Sequence, residues 1–366
     1  MNKNRKTLLG LILVVLVAVA GYFVWRKQDK HSSQEVTTVN IGAILPMTGQ
    51  AAGVGQSARE GLLLAEKHIN DKVLINKGYK IQFIIEDGEG RPAKSLSALN
   101  KLLSSEQCKI ILSMISPVDL SILPVQKQKN FLLVSHASHP ALSGVNDLVF
   151  RHSQVVAQEY ALFESSIDGD WEHAAYIYIN DDYGTALSNL IKEKHSTIAL
   201  NEYPINPNEG VNKAAIDKLL KASPKHIILN GSAPLLTQVI NTLSTNGYQG
   251  QIYASLGFVA TGGDVTLKGL TNYIDFNLDL SSAKLSQRLE IVDASYDYNP
   301  THLIFLNTAL WIAEAIKSGN ITPKEIAQYI RGMKTFVGVG ETITLSQDND
   351  MLLPIEMKGT QNTENK

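Results

Sequence analysis

The chain has 366 residues, of which 44% are hydrophobic and 19% are charged, and its formal net charge at pH 7 is −2. This length is enough for two domains of about 150 residues, and this share of apolar side chains can fill a core, which excludes a wholly disordered chain. The near-neutral charge argues against a nucleic-acid-binding protein, because phosphate binding requires clustered Lys and Arg side chains.

The first predicted element is an apolar segment at residues 8–25, with basic residues on both sides. Its 18 residues come close to the roughly 20 that a helix needs to cross a bilayer. Two interpretations stay open: an uncleaved membrane anchor that ends at an interfacial Trp25, and a signal peptide that is cleaved between Ala20 and Gly21. Both predict an extracytoplasmic, periplasmic location for the rest of the chain, with residues 1–37 as anchor or signal segment and linker.

The single cysteine, Cys108, excludes an intramolecular disulfide bond. A lipid-anchored protein would carry a cysteine directly after the apolar segment, and the sequence has none there. Any membrane tether is therefore the peptide segment itself.

After residue 38, short apolar runs alternate with amphipathic stretches in two series. The first series predicts strand 39–45, helix 57–69, strand 79–86, helix 93–104, strand 109–115, helix 120–128 and strand 131–135. The second series predicts strand 173–179, helices 186–194 and 213–222, strand 226–229, helix 235–246, strands 251–254 and 273–277, helices 300–318 and 322–332, and strand and turn structure over 333–357.

This alternation predicts an α/β fold with two doubly wound parallel-sheet lobes joined by a hinge. We expect lobe 1 to contain residues 38–151 and about 278–338, and lobe 2 to contain residues 152–277 and about 339–357. Residues 358–366 are predicted to form a polar tail.

Ligands of open α/β sheets bind outside the carboxyl ends of the strands, so the segments that follow each strand are the informative ones. Five stretches in and after the predicted strands form a recognisable series: Ile41-Gly42-Ala43-Ile44-Leu45-Pro46-Met47-Thr48-Gly49, Glu86-Asp87 with Pro92-Ala93, Ser135-His136-Ala137-Ser138-His139-Pro140-Ala141-Leu142, Val149-Phe150-Arg151, and Ile179-Asn180-Asp181-Asp182-Tyr183-Gly184. Their order and spacing resemble the leucine/isoleucine/valine-binding type of periplasmic binding proteins, which have the type I binding fold. The resemblance covers residues 39–355 and implies capture of a small molecule between the lobes for an ABC-type permease in the membrane.

The resemblance also implies which residues line the ligand: Ser116, Ala137, Ser138, Tyr183 and Ser232. The chain departs from the family pattern at two places. Where the family has a pair of serines after the third strand, this chain has Ser116 and Pro117, and the segment 255–257 lacks the acidic residue that holds a ligand ammonium. These departures argue against an ordinary amino acid as the ligand, since burying an ammonium without a carboxylate is unfavourable.

Other chemistries fit the sequence less well. The glycine pattern that starts at Gly53 is separated from its strand by residues 46–52, so we interpret it as close packing and not as a dinucleotide site. His136 and His139 lack the further ligands that a metal site needs and are interpreted as polar loop residues. We predict no catalytic residue, no metal and no cofactor. The alternative function is a binding-fold module that acts as an envelope scaffold or as a sensor and regulatory partner.

Overall fold

The computed structural model describes residues 36–74, 77–207, 209–278 and 299–360, and the predicted signal or anchor segment lies outside these ranges. The described strands, numbered along the chain, are β1 (Thr37–Leu45), β2 (Tyr79–Asp87), β3 (Ile110–Met114), β4 (Leu132–His136), β5 (Val149–Ser153), β6 (Ala174–Ile179), β7 (Asn201–Ile205), β8 (His226–Asn230), β9 (Gln251–Ala254), β10 (Asn272–Phe276), β11 (Thr335–Val337), β12 (Thr342–Thr344), β13 (Asp350–Leu352) and β14 (Ile355–Gly359).

The described helices are α1 (Ala52–His68), α2 (Pro92–Ser104), α3 (Ser116–Lys129), α4 (Val156–Ser166), α5 (Asp182–Lys194), α6 (Lys213–Ala222), α7 (Ala233–Thr245), α8 (Leu256–Ala260), α9 (Pro300–Lys317) and α10 (Pro323–Met333). Helix α1 continues into a π-helical turn at Ile69–Leu74, and short 3₁₀ turns lie at Pro140–Leu142 and Trp171–His173.

Lobe 1 is built around a sheet with the strand order β2-β1-β3-β4-β5-β13, in which all paired strands are parallel. Every residue of the central strands β3 and β4 is buried, as expected for strands that are covered on both faces. Helices α1, α9 and α10 cover one face, where Leu62 and Trp311 belong to the core, and α2 and α3 cover the other, with Leu99 and Ile122.

Lobe 2 repeats this architecture with the strand order β7-β6-β8-β9-β10-β14, in which only the β10–β14 pair is antiparallel. Helices α6 and α7 cover one face of the sheet, and α4 and α5 cover the other. The predicted fold class of two doubly wound parallel-sheet lobes is therefore confirmed.

The chain crosses between the lobes after β5, between β10 and α9, and between β13 and β14. The last crossing differs from the predicted division of the chain at residue 338, because β13 pairs with β5 in the lobe 1 sheet. The physical reason is a buried ion pair in which Arg151 Nη2 of β5 lies 2.6 Å from Asp350 Oδ2 of β13. Strand β14 also extends to Gly359, so the first residues of the predicted polar tail pair with β10 in the lobe 2 sheet.

A second buried polar cluster lies beside the first crossing. The Oγ1 atom of Thr308 in α9 lies 2.9 Å from Nε2 of His136 and 2.8 Å from Nδ1 of His152. Glu341 completes the cluster, with Oε1 3.3 Å from Nε2 of His152. Burial, together with the neighbouring His152, lowers the pKa of His136 to about 3, so that imidazole is neutral at physiological pH. The cluster joins β4 and β5 to α9 and to the segment before β12.

Candidate functional site

The carboxyl ends of the two parallel sheets meet at the boundary between the lobes. Helix α3 begins after β3 of lobe 1, helix α5 begins after β6 of lobe 2, and these two helices contact each other. At the same boundary the carbonyl of Ser138 accepts a hydrogen bond from the Val156 amide at the start of α4, with an N···O distance of 3.4 Å. The candidate site is this boundary between the strand ends of the two lobes, called the cleft below.

Lobe 1 contributes three of the predicted ligand-lining residues. Ser116 is the first residue of α3, and Ala137 and Ser138 directly follow β4. Because β3 and β4 are neighbours in the sheet, the structure brings all three to one part of the cleft edge. Each of them is buried. Their contact with a ligand stays a prediction.

The turn that leads into Ser116 is strained. Ile115 has a φ of 78°, although a β-branched side chain strongly disfavours positive φ. Such a conformation costs about 1–3 kcal/mol and persists only where the surrounding structure enforces it. The strain therefore lies directly beside a predicted ligand-lining residue.

A fully buried carboxyl lies beneath these segments. Asp119, in the first turn of α3, accepts a hydrogen bond from the Ser135 hydroxyl of β4. Burial raises the pKa of Asp119 to about 7, and the hydrogen bond from Ser135 opposes the rise only in part. This carboxyl ties α3 to the strand ends of lobe 1.

The loop after β1 is held by a different carboxylate. Asp87 accepts hydrogen bonds from the Met47 amide at 3.0 Å, the Thr48 hydroxyl at 2.6 Å and the Glu89 amide at 2.8 Å. Burial acts to raise the pKa of Asp87, but these hydrogen bonds outweigh it and lower the pKa below its usual value. The carboxylate thus fixes the loop at the end of β1 against the end of β2.

In each lobe, the helix that follows the first strand comes close to the end of that strand through a glycine. A Cβ atom on Gly55 of α1 would lie 2.2 Å from the Pro46 carbonyl oxygen, and one on Gly184 of α5 would lie 2.2 Å from the Ile179 carbonyl oxygen. Gly53, by contrast, has open space around its Cα. The contact at Gly55 supports the interpretation of this glycine pattern as close packing.

Lobe 2 contributes the other two predicted ligand-lining residues, Tyr183 and Ser232. Tyr183, which is half-buried, is the second residue of α5, and its hydroxyl donates to the Glu159 carboxyl, 2.7 Å from both oxygens. Ser232 occupies the N-cap position of α7, yet its side chain makes no capping hydrogen bond. The Thr261 hydroxyl accepts from the Ala233 amide instead, at 2.7 Å. The hydroxyl of Ser232 is therefore not committed to the helix.

The sequence analysis missed a carboxyl group in this half of the cleft. The segment 255–257 lacks an acid, but Glu159 reaches it from α4, and its Oε2 accepts from the Leu256 amide at 3.3 Å. Burial raises the pKa of Glu159 to about 7, while hydrogen bonds from Tyr183, Leu256 and Gln154 oppose the rise. Glu159 has Val156 three residues before it and Phe163 four residues after it, a helical spacing that could have indicated an inward-facing acid.

Asn230 is a second residue that the sequence analysis missed. It ends β8, is fully buried, and its side-chain amide has no hydrogen-bond partner among the described residues. It directly precedes Gly231, whose amide donates to Ser255 Oγ at 3.3 Å. Asn230 thus lies beside Ser232 and the segment that contacts Glu159.

The histidines near the cleft have roles within the fold. His136 belongs to the buried cluster around Thr308, and Nδ1 of His139 accepts from the Ala141 amide at 3.1 Å. Burial lowers the pKa of His139, and Asp182 of lobe 2 partly opposes this from across the boundary. In the ranges that the structure describes, no three His, Cys, Asp or Glu residues are grouped so that they could hold a metal ion.

Two α/β lobes that meet at the carboxyl ends of their strands define a two-lobed binding fold, and comparison with known proteins agrees. The chain belongs to the periplasmic binding protein family, whose match covers residues 38–354. The Leu/Ile/Val-binding protein homolog 1 of Brucella suis is 24% identical over 365 residues, covering 96% of this chain and 94% of the relative.

Solved structures share the fold at low sequence identity. A possible leucine/isoleucine/valine-binding protein from Rhodopirellula baltica is 17% identical, with a TM-score of 0.76 and coverage of 91% of this chain and 98% of the other. The branched-chain amino acid transporter substrate-binding protein of Streptococcus pneumoniae, in complex with isoleucine, is 16% identical, with a TM-score of 0.74 and coverage of 89% and 98%. A solute-binding protein of an ABC transporter from R. palustris, in complex with benzoate, is also 16% identical, with a TM-score of 0.74 and coverage of 89% and 94%.

Membership in this family confirms the predicted resemblance and implies an extracytoplasmic location. The family and these structural neighbours are binding proteins, which agrees with the prediction that the chain is not an enzyme. None of the helices in the described ranges has the length and apolar character that crossing a membrane requires.

Proposed function

We propose that this chain captures a small organic molecule between its two lobes and delivers it to an ABC-type permease. The observation that carries the proposal is the meeting of two parallel-sheet edges at one cleft, through the contact between α3 and α5. Clefts at strand ends of this kind are where α/β proteins bind small ligands. Family membership supports the same function.

Capture follows from the two-lobed geometry. Ser116, Ala137 and Ser138 lie on one lobe and Tyr183 and Ser232 on the other, so a ligand contacts both sets only when the lobes are closed. A ligand shifts the equilibrium between open and closed states by its difference in affinity for them. The corresponding hinge motion is a rotation of the two lobes about the three places where the chain crosses between them.

The carboxyl groups of the cleft limit the ligand class. Asp87, Asp119 and Glu159 already accept hydrogen bonds from the protein, and Asp119 and Glu159 are fully buried. We therefore propose a small aromatic or aliphatic molecule that lacks an ammonium group, such as benzoate, which the R. palustris protein binds. Asp182 is exposed at this edge and is the candidate partner for an amino group. If isoleucine binds the wild type and no longer binds Asp182→Asn, the proposed ligand class is wrong.

A thermal-shift screen of the purified protein tests the function. The panel contains benzoate, other small carboxylates, amides and amino acids at millimolar concentration. A ligand at 100 times its Kd stabilises the folded state by about 2.7 kcal/mol, which corresponds to a rise in Tm of roughly 5 °C. The matched control is Tyr183→Ala, in which the same ligand should give no shift. Unchanged Tm values with every compound would contradict solute capture.

We also propose that residues 8–25 hold the protein at the cytoplasmic membrane, with the binding lobes outside. Their unbroken apolar sequence between basic flanks supports this. The test is membrane fractionation together with the mass of the N-terminal peptide. A mature chain that begins at Gly21 would contradict the anchor.

The second candidate function is an envelope scaffold or a sensor and regulatory partner. Two features of the sequence favour this second function. Pro117 offers neither a hydroxyl nor a backbone N–H to a ligand, and the segment 255–257 contains no acid. A scaffold does not need a closing cleft. Specific co-purification with an envelope protein, in a chain that no compound of the panel stabilises, would favour this function over transport.

A further inference from the structure

Glu159 makes a set of contacts that joins three separate segments of lobe 2. Its carboxyl lies 2.7 Å, through both oxygens, from the Tyr183 hydroxyl of α5, and Oε2 lies 3.3 Å from the Leu256 amide of α8. The residue has no exposed surface. It therefore cannot meet a ligand in this conformation, and its contacts are all with the protein.

The ring of Tyr183 also lies close to the backbone of Gly257. A Cβ atom on Gly257 would lie 3.1 Å from Cε1 of Tyr183 and 2.9 Å from the Gly231 carbonyl oxygen. The ring thus packs against the backbone of Gly257, while Glu159 holds its hydroxyl. Two independent restraints leave the ring little freedom.

The first amide of α8 has no other capping group. Ser255 stands at the N-cap position and makes no side-chain capping hydrogen bond. A buried N–H without an acceptor costs about 1–3 kcal/mol. The Glu159 carboxyl removes that cost for Leu256, so it fixes the start of α8 as well as the tyrosine.

We infer that Glu159 is the positioning residue of the lobe 2 half of the cleft. From α4 it orders Tyr183 and the start of α8. An acid within the segment 255–257 would have lain at this same place and could have met the ligand directly. This inference rests on the proposed function, since the cleft that Glu159 orders is the proposed binding site. Ordering these groups before binding raises affinity, because less freedom is lost when the ligand arrives.

The Leu256 amide gives a readout that needs no ligand. In protein labelled with ¹⁵N-leucine, the amide resonance should titrate as Glu159 ionises, with a midpoint near the carboxyl pKa of about 7. The other titratable groups here are Tyr183 of α5, Tyr176 of β6 and Asp181 before α5. Burial raises the pKa of both tyrosines well above the usual value, so they stay neutral, and Asp181 is retained in every variant.

Three variants complete the experiment. In Glu159→Gln the titration of the Leu256 amide should disappear. In Tyr183→Phe it should persist and move to higher pH, because the carboxylate loses a donor. Glu193→Ala, an exposed acid on α5, is the matched control and should titrate like the wild type. A Leu256 amide that does not respond to Glu159→Gln overturns the inference, whether or not any solute binds.

The ligand affinities of Glu159 variants distinguish a positioning role of this residue from a merely structural contact. With benzoate as the probe, Glu159→Ala should weaken binding by about tenfold or more, and Glu159→Gln should retain it within about threefold, because the amide can still accept from Leu256. Equal affinity of Glu159→Ala and the wild type would overturn the inference. If benzoate does not bind the wild type, benzoate fails as the proposed ligand, and the amide readout alone decides the role of Glu159.

Discussion

Asp119→Asn replaces the buried carboxyl beneath the cleft segments of lobe 1 with an uncharged side chain of the same shape. The pKa of Asp119 is raised from 3.8 to about 7, chiefly by burial. Folding therefore favours the protonated form, and the stability from this group is fully present below pH 3.8 and is lost as the pH rises through 7. The variant has no such dependence at this position.

The magnitude follows from the difference between the folded and unfolded pKa values. One pKa unit corresponds to about 1.4 kcal/mol. The free energy of unfolding of the wild type therefore falls by that amount per pH unit between pH 3.8 and pH 7. Between pH 5 and pH 8 the wild type should lose about 2.5 kcal/mol relative to Asp119→Asn. Glu159 contributes to the wild type with the same sign and His136 with the opposite sign, but both are present in the variant and cancel in the difference.

Urea unfolding at pH 5, 6, 7 and 8 measures this difference. Asp217→Asn, an exposed acid on α6, serves as the control and should track the wild type. If the difference between the wild type and Asp119→Asn stays constant from pH 5 to pH 8, the argument that burial controls this carboxyl is wrong.

Three further substitutions test the crossing region and the lobe 2 cleft. Asp350→Ala leaves the buried Arg151 guanidinium without its 2.6 Å partner and should lower the free energy of unfolding by about 3–5 kcal/mol, measured by urea unfolding. Thr308→Val removes the atom that lies within 2.9 Å of His136 Nε2 and also contacts His152; calorimetry should show a loss of about 2 kcal/mol or more. Gly257→Ala places a Cβ atom 2.9 Å from the Gly231 carbonyl oxygen, and isothermal titration should show weaker solute binding beside a stability loss of about 1–3 kcal/mol.

Each of these substitutions has its own control. The double variant Arg151→Met with Asp350→Leu should recover most of the stability, and failure to recover it would mean that the charge pair is not the cause. Thr308→Ser keeps the hydroxyl and should stay close to the wild type; a loss as large as that of Thr308→Val would assign the effect to packing. Gly262→Ala adds a methyl group in open space at a φ of 84°, so strain without a clash should leave affinity unchanged.

Much of the fold could be predicted because its strands are short, apolar and separated by helices. The predicted strand 173–179 and helix 213–222 differ from β6 and α6 by at most one residue. The predicted helix 120–128 was too short, since α3 begins at Ser116 with Pro117 in its first turn, where proline is tolerated. Local pattern was therefore sufficient for many of the elements and weaker for their ends, and it missed β5, α4, β7 and α8.

The last crossing between the lobes could not be read from local pattern. Residues 339–357 contain short strands whose partner depends on distant residues, and the Arg151–Asp350 pair joins positions 199 apart in the chain. A buried charge pair of this kind leaves no periodic signal in the sequence. The placement of β13 beside β5 accordingly needed the structure.

The ligand-lining residues were named from the resemblance, and their contact with a ligand stays a prediction. Ser116, Ala137, Ser138, Tyr183 and Ser232 all lie at strand ends on the cleft edges, where the resemblance put them. Glu159 was missed because the search for an acid was limited to residues 255–257, whereas the carboxyl arrives from α4, 97 positions away from Leu256. Contacts between helices of one lobe are set by packing and not by spacing in the sequence.

The most direct test of solute capture compares the wild type with a variant whose cleft is filled. Ser232→Trp places a large ring at the N-cap position of α7, where the native hydroxyl makes no capping bond, so folding should be preserved. Isothermal titration with the solute that gives the largest thermal shift should show one site per chain in the wild type. Binding to Ser232→Trp should be weaker by about a hundredfold, a loss of roughly 2.7 kcal/mol. Equal affinity in the two proteins would contradict binding in the cleft between the lobes.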